Sequence, residues 1–312
     1  MKISILTPTY NRGNLLNKLY NSLLENRKYD LEIEWLIMDD GSEDETKSIV
    51  QKYIDESIID IKYYFQKNQG KMSAINNLVE YSNGDLIIEC DSDDFFTNDA
   101  FEIITEEYTK IENNKNHITK NDKENNIEKR KIYAMCFLKY NQDNVNMGKE
   151  FRKKRTTMFD LYYKEEENGE KALVFYNNIR KQYKYKLEKN EKFVTEARMY
   201  NEMDLSGDII CINKPIMICE YQEEGYTNNI INQFKNNPYG YYEYFKEIFN
   251  QNMKGITFKK RIYIIKHFIL FNYLTKSKNI VKNTKGIYNK LLIILLYIPG
   301  NIISSIRFKN TN

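Results

Sequence analysis

Residues 3–24 read ISILTPTYNRGNLLNKLYNSLL and contain one complete step from a strand to a helix. The apolar run at residues 3–6 predicts a buried strand, and it gives way at once to a polar turn. It is also too short for the apolar core of a signal peptide, which needs about 7–15 residues. The leucines that follow recur at helical spacing and predict an amphipathic helix; they are Leu15, Leu16, Leu19, Leu23 and Leu24.

Two further stretches continue this alternation of strand and helix. Residues 34–46 read EWLIMDDGSEDET, in which an apolar strand ends in two aspartates. Residues 68–96 read NQGKMSAINNLVEYSNGDLIIECDSDDFF, with a helical pattern over residues 71–81 and an apolar strand over residues 86–90. With another strand expected at residues 61–65, this order predicts an α/β fold in which helices cover both faces of a mainly parallel sheet.

Local patterns predict how some of these elements begin and end. Ser42 and Glu45 have the spacing of a capping box, which predicts that Ser42 caps the second helix. Two late strands are expected at residues 209–212 and 216–221, because Pro215 separates two apolar runs. Composition then divides the chain into four parts. Residues 110–131 are a polar insert or loop, and residues 251–312 are a basic amphipathic helical tail. The two remaining parts are residues 1–109 and 132–250.

Composition excludes several classes of protein. Of the 312 residues, 41% are hydrophobic and 29% charged, with only 12 Gly and 4 Pro, which indicates a globular chain and excludes collagen-like or low-complexity sequence. Four cysteines without a CxxC pair favour a reducing compartment over a disulfide scaffold. Two histidines leave too little material for a His-rich zinc site or a Ser/His/Asp triad.

Charge is distributed unevenly along the chain. Residues 254–312 hold 12 of the 47 basic residues and no Asp or Glu, so the preceding chain carries 35 basic and all 44 acidic residues. Apolar stretches accompany these basic residues, but the uninterrupted run at residues 291–298 is far shorter than the ~20 residues that span a bilayer. We therefore expect residues 254–312 to bind an anionic membrane surface; the alternative is helices packed in a core with lysines at the edge. Nucleic acid is not expected as a partner, because no recognition motif accompanies the charge.

Polar clusters follow the first, second and fourth predicted strands. In a parallel sheet these strand ends meet at one edge, where ligands bind. The third cluster, Asp91-Ser92-Asp93-Asp94, concentrates carboxylates, which favour a hard divalent ion such as Mn²⁺ or Mg²⁺ completed by substrate phosphates. The alternative for an isolated Asp-x-Asp is a turn or a helix cap. Lys71 begins a helix where a phosphate would benefit from both the ammonium and the helix dipole; the alternative is a solvated lysine.

These motifs, in this order and over residues 1–105, resemble the donor half of a family 2 glycosyltransferase with the GT-A fold, of the type that builds surface or cell-wall polysaccharides. The resemblance implies that Asp39 or Asp40 bonds to the nucleobase of a nucleotide sugar, and we favour Asp40. It implies that Asp91 lies near the ribose and metal and that Asp93 binds the metal. The remaining expected donor contacts are Pro8, Thr9, Tyr10, Arg12, Lys71 and Ser92.

The resemblance is weaker in the acceptor half. Relatives often carry a Glu-Asp pair before a helix, and here Glu196 is followed by Ala197, so Glu196 would have to be the general base. The alternative is an idle acid at a helix N-terminus. Arg198 is expected to contact substrate, and Tyr226, in a Gly-Tyr-Thr turn, to lie near the diphosphate.

The sequence thus predicts a metal-dependent inverting hexosyltransferase with a UDP-sugar donor and a glycan or lipid-linked acceptor; the inverting course and the UDP preference come from the resemblance alone. Residues 1–109 would bind the donor and residues 132–250 the acceptor. The expected location is cytoplasmic, peripheral on the inner face of the cell membrane. Two alternatives are a membrane-docked scaffold that binds a nucleotide sugar without catalysis, and a sugar-phosphate nucleotidyltransferase.

Overall fold

A computed structural model describes residues 1–27, 31–116, 130–220, 230–251, 253–277 and 279–297. The chain divides into two units: the first comprises residues 1–161, 167–184 and 200–222, and the second residues 162–166, 185–199 and 223–312. All the strands that the structure describes lie in the first unit. Within the described ranges, no helix is both long enough and apolar enough to cross a membrane.

The strands form one mixed sheet. In chain order they are β1 (Lys2–Thr9), β2 (Glu32–Asp39), β3 (Asp60–Phe65), β4 (Leu86–Glu89), β5 (Asp94–Phe96), β6 (Lys131–Tyr140), β7 (Arg155–Thr156), β8 (Lys171–Tyr176) and β9 (Gly207–Cys219). Their order across the sheet is β3-β2-β1-β4-β8-β6-β9-β5, with β7 paired to β9. The strands β3, β2, β1 and β4 are parallel, as are β6 and β9, which confirms the predicted α/β fold.

Eleven described helices accompany the sheet, and a single 3₁₀ turn at Gly13–Leu15 precedes the first. In chain order they are α1 (Leu16–Asn26), α2 (Thr46–Glu56), α3 (Lys71–Tyr81), α4 (Ala100–Asn116), α5 (Met158–Tyr163), α6 (Asn177–Arg180), α7 (Glu196–Met203), α8 (Ile230–Asn236), α9 (Pro238–Phe249), α10 (Phe258–Leu274) and α11 (residues 287–297).

The core lies between the sheet and the helices that cover it. Ile3 and Ile5 of β1 pack with the buried side chains of α1 and α2, whereas α3 contacts β1 and β2. Trp35 is fully buried; its ring stacks with Tyr20 and Tyr53, and its Nε1 donates to Thr7 Oγ1 at 2.9 Å. The indole can be buried without an unsatisfied N–H, because Thr7 accepts its hydrogen bond.

Two of the local predictions are wrong. The capping box does not form: α2 begins at Thr46, and Asp44 Oδ1 accepts from the backbone N–H of Thr46 at 3.0 Å, while Ser42 lies earlier in the loop. The two strands expected at residues 209–212 and 216–221 are one strand, β9. Pro215 is tolerated because the register with β6 shifts around it, so that no ladder hydrogen bond from its nitrogen is needed.

The first residues of the expected polar insert are helical. Residues 110–116 are helical and extend α4, in place of the loop expected from residue 110. Ion pairs on the exposed side support the extension, since Lys110 Nζ lies 2.9 Å from Glu107 Oε1 and 3.6 Å from Glu106 Oε2. The central part of the expected insert, residues 117–129, lies outside the described residues.

Candidate active site

The carboxyl ends of the parallel strands meet at one edge of the sheet. Thr9 of β1 pairs with Asp39 of β2, and Asp39 in turn pairs with Phe65 of β3, so three strand ends lie in one row. The backbone N–H of Asp40 donates to Thr9 O at 2.8 Å, which continues this row by one residue. The polar segments that follow these strands therefore start side by side, as the parallel sheet predicted.

The loop after β1 is joined to the loop after β2. The backbone N–H of Asn11, which has a left-handed φ of 51°, donates to Ser42 Oγ at 2.9 Å. The backbone N–H of Gly13 donates to Asp44 Oδ2 at 3.1 Å. A Cβ atom at Gly13 would lie 2.7 Å from the Cα of Thr46, so the two loops approach too closely for any other residue at this position.

The first loop offers one exposed aromatic side chain and one buried hydroxyl. Pro8 and Thr9 are buried, whereas Tyr10 is 47% exposed. Thr9 Oγ1 is buried and has no hydrogen-bond partner in the part of the chain that the structure describes. A buried hydroxyl without a partner is costly, so a ligand that bonds to it would be favoured. Tyr10 is accessible for stacking on a planar ring.

Asp40 holds the segment that leads into α3. Its Oδ1 accepts from Gln66 Nε2 at 2.7 Å and from the backbone N–H of Gln69 at 2.8 Å, and its Oδ2 accepts from the backbone N–H of Gly70 at 2.8 Å. Gly70 has a φ of 93°, a conformation that favours glycine. Both oxygens of the buried Asp40 are thus engaged by protein donors.

Asp39 is also buried and makes two bonds. Its Oδ1 accepts from the backbone N–H of Ser42 and its Oδ2 from Tyr63 Oη, both at 2.6 Å. Burial and the Asp39 carboxylate raise the pKa of Tyr63 above its ordinary value, so this phenol stays protonated and donates. The sequence analysis missed Tyr63 and Gln66; their only signal was position, within or directly after the third strand.

Each of the two aspartates expected at the metal site has a basic partner. Lys71 Nζ lies 2.8 Å from Asp91 Oδ2, and Arg12 Nη1 lies 3.0 Å from Asp93 Oδ2. Burial would raise the pKa of Asp91, but the Lys71 ammonium lowers it overall. Burial and the charge of Asp91 raise the pKa of Asp93, and Arg12 offsets only part of this effect. The structure thus brings together Arg12, Lys71, Asp91 and Asp93; Ser92 between the aspartates is buried.

A third basic residue was not foreseen. Lys139, near the end of β6, places its Nζ 2.6 Å from Asp94 Oδ2, and both side chains are nearly buried. Burial opposes the charge of Lys139, but the Asp94 carboxylate outweighs it and raises the pKa of Lys139 above its ordinary value. The signal in the sequence that could have identified Lys139 is its position at the end of an apolar strand. This pair fixes the acidic turn to β6.

Asp91 and Asp93 are suited to a divalent ion that takes only two ligands from the protein. Within the described ranges, no group of three or more His, Cys, Asp and Glu side chains is arranged to hold a metal. Two carboxylates separated by one residue are instead the usual protein contribution to an Mg²⁺ or Mn²⁺ ion whose other ligands are phosphates and water. The neighbouring Lys71 and Arg12 suit the same anionic partner.

A cavity of about 710 Å³ lies elsewhere in the first unit. The residues that line it come from β6 and the loop after it, from β9, and from α4 and the turn before it; they include Thr97, Asn98, Tyr140, Lys214, Pro215 and Ile218. None of the residues expected to contact the donor lines this cavity. The cavity is therefore distinct from the strand-end cluster described above.

The residues expected to act on the acceptor lie in the second unit. Glu196 is the first residue of α7 and is half-buried; burial and the charge of Glu196 raise the pKa of Tyr241. Arg198 is engaged within the protein, with Nη2 3.0 Å from Glu247 Oε1 and Nη1 2.8 Å from Glu188 Oε1. These contacts tie Arg198 to Glu188 and Glu247, and its contact with substrate stays a prediction. Tyr226 lies outside the described residues.

Comparison with known proteins gives a consistent result. A family model described as Glycosyl transferase family 2 matches residues 4–191, more than half of the chain. An uncharacterized glycosyltransferase of Mycoplasma genitalium is 38% identical over 106 residues, which cover 33% of this chain and 36% of that protein. GalNAc(5)-diNAcBac-PP-undecaprenol beta-1,3-glucosyltransferase of Campylobacter jejuni is 37% identical over 95 residues, 30% of each chain. The matched part thus spans about a third of these relatives' length.

A solved structure extends the similarity to the fold of almost the whole chain. The crystal structure of S. aureus TarS residues 1–349 in complex with UDP-GlcNAc superposes with a TM-score of 0.58 and 16% sequence identity. The alignment covers 96% of this chain and 79% of the TarS chain. At this level of identity the likeness concerns the fold alone.

Proposed function

The chain belongs to glycosyl transferase family 2, and from that premise we propose that it transfers a sugar from a UDP-sugar to a hydroxyl group of a glycan or lipid-linked glycan. The observation that carries the proposal is the cluster at the strand ends. There Lys71 pairs with Asp91 and Arg12 pairs with Asp93, and the loop that carries Arg12 also carries the exposed ring of Tyr10. A nucleotide sugar has parts that match these side chains: a planar base for the tyrosine ring and a diphosphate with two negative charges for the basic groups.

The donor would be bound by the residues of this cluster. Tyr10 would stack on the nucleobase, and the buried Thr9 hydroxyl and the carboxylate of Asp39 or Asp40 would be its polar contacts. Asp91 and Asp93 would hold Mn²⁺ or Mg²⁺, which supplies charge stabilisation for the departing diphosphate. Lys71, at the first turn of α3, would add its ammonium and the helix N-terminus to the same phosphates.

The acceptor hydroxyl requires a base in a direct displacement that inverts the anomeric carbon. We assign this role to Glu196, a half-buried carboxylate at the start of α7. General base catalysis contributes about 10²- to 10⁴-fold to a rate. Replacing Glu196 by Gln should lower the turnover number by about that factor, while the binding of UDP and Mn²⁺ stays unchanged.

The proposed acceptor and location follow from one relative. The C. jejuni glucosyltransferase acts, by its name, on an undecaprenol-linked glycan, a substrate anchored in a membrane. We propose a similar membrane-linked acceptor for this chain and a peripheral location on the inner face of the cell membrane.

A thermal-shift series tests the donor site. UDP, GDP, CDP and dTDP are each added with and without Mn²⁺ to the wild type, to Asp93→Asn, and to Asp55→Asn, an exposed aspartate of α2 that serves as the matched control. A ligand that binds only the folded state raises the melting temperature. We expect UDP with Mn²⁺ to stabilise the wild type and the control by several degrees, and Asp93→Asn not at all.

Other outcomes would redirect the proposal. Stabilisation by another nucleoside diphosphate would change the assigned donor nucleotide but not the assignment as a glycosyltransferase. Release of pyrophosphate from a nucleoside triphosphate and a sugar phosphate would indicate a nucleotidyltransferase. Donor binding without turnover against any acceptor, in the wild type as in Glu196→Gln, would leave a non-catalytic binding protein.

A further inference from the structure

Helix α11 carries an exposed apolar face. The side chains of Ile287, Tyr288, Leu291, Ile294 and Leu295 are between 57% and 81% exposed. Because successive residues of an α-helix are about 100° apart, these five positions fall within roughly 120° of its circumference. They form one continuous surface, which we call the outer face of α11.

The opposite side of α11 is held by the second unit. Ile293 is fully buried, and Asn289 Nδ2 donates to the backbone oxygen of Phe249 at 3.5 Å. At the start of the helix, the backbone N–H of Lys285 donates to Asn250 Oδ1 at 2.6 Å. The helix is thus fixed along its inner side, and its outer face is presented to solvent while the helix stays in place.

The charges that accompany the outer face are all basic. Residues 254–312 contain no Asp or Glu, whereas the preceding chain has more acidic than basic residues. Lys282 and Lys285 are exposed just before the helix. Lys290 lies about 40° from Ile294 around the helix, at the border of the apolar surface. The segment that carries the exposed apolar side chains is therefore basic throughout.

We propose that the outer face of α11 docks this protein on an anionic lipid bilayer. Apolar side chains bordered by lysines match the boundary between headgroups and acyl chains, where the lysines remain with the lipid phosphates. A second copy of the same face is a poor partner, because pairing would bring like charges together. The described residues of α11, 287–297, would lie along the bilayer surface. The outer face of α11 would then be the part of the protein that contacts the membrane at the proposed location. This assignment does not depend on the proposed sugar transfer.

Co-sedimentation of the full chain with lipid vesicles tests the proposal. One set of vesicles contains phosphatidylcholine alone, and the other contains about 40% phosphatidylglycerol, at low salt. We expect the wild type to bind the anionic vesicles and to lose about tenfold in partition coefficient on neutral ones. The double variant Leu291→Asn with Leu295→Asn should lose about tenfold on the anionic vesicles. The matched control is Leu205→Asn in the first unit, because Leu205 and Leu295 are both 73% exposed.

Three results would overturn the proposal: no binding of the wild type to anionic vesicles, an equal loss in the double variant and the Leu205→Asn control, or self-association without vesicles that the double variant abolishes. The last result would assign the outer face to contact between copies. Each variant is also tested for the thermal shift with UDP and Mn²⁺. A variant that keeps this shift is folded, and absence of the shift in the wild type would count against the donor proposal while leaving the vesicle result valid.

Discussion

Arg12 Nη1 lies 3.0 Å from Asp93 Oδ2, so a loop that follows β1 is bound directly to the acidic turn that follows β4. Both side chains are partly accessible, at 31% for Arg12 and 15% for Asp93. Under the proposed function this pair would exchange partners, with a divalent ion taking the carboxylate and the diphosphate taking the guanidinium.

Replacing Arg12 by Ala should separate binding from stability. A partly exposed ion pair contributes only about 1 kcal/mol or less to folding, so the melting temperature should change little. The dissociation constant for UDP with Mn²⁺, measured by titration calorimetry, should rise about tenfold, because a charged hydrogen bond to phosphate is lost. Lys110→Ala, which removes a surface ion pair of α4, should leave the constant unchanged. Equal effects of the two variants on binding would refute the assignment.

Replacing Asp40 by Asn should destabilise the protein. Three donors, including the backbone N–H of Gly70, bond to the Asp40 carboxylate, and an amide cannot accept all of them. We expect a loss of about 1–3 kcal/mol in the free energy of unfolding, measured with urea. Replacing Asp99, an aspartate in the turn before α4, by Asn provides the comparison. A loss of UDP binding without loss of stability would instead show that Asp40 contacts the base.

Replacing Gly13 by Ala should disturb the joined loops. The added Cβ would lie 2.7 Å from the Cα of Thr46, and backbone atoms cannot move aside without breaking the bond from Gly13 N–H to Asp44. We expect a loss of about 1–3 kcal/mol in the free energy of unfolding. Asn14→Ala, at the exposed neighbouring position, should be close to neutral. Unchanged stability in Gly13→Ala would mean that the loops separate readily.

Glu34 predicts a pH dependence of stability. This buried carboxylate accepts from Ser4, Asn83, Lys2 and Lys62. Burial favours the neutral acid, but these donors lower the pKa of Glu34 from 4.5 to about 2. Because the unfolded chain binds the proton more readily, the stabilisation is complete above about pH 4.5 and is lost as the pH falls towards 2; the shift corresponds to about 3 kcal/mol.

Urea unfolding of the wild type and of Glu34→Gln at a series of pH values measures this effect. We expect the variant to be less stable than the wild type at pH 7, and the difference between them to shrink below about pH 4. A difference that stays constant down to pH 3 would show that Glu34 is not ionised in the folded protein.

The sequence by itself determined the order of strands and helices over residues 3–90 and the place of the acidic motifs. Apolar runs such as residues 3–6 and 86–90 are local patterns, and their alternation with amphipathic helices leaves a parallel sheet as the arrangement that buries both faces. The rule that ligands gather at the carboxyl ends of such strands then placed Arg12 and Asp93 at one edge before any contact was known.

The tertiary structure alone decided which side chains the acidic residues bind. Lys139 binds Asp94 across 45 residues of sequence, and the Gly70 N–H binds Asp40 across 30. Arg198, which the pattern assigned to substrate, bonds to Glu247 across 49 residues. Hydrogen bonds and ion pairs form between atoms about 3 Å apart in space, whatever their separation along the chain, so a local pattern can show that a carboxylate needs a partner but not which residue provides it.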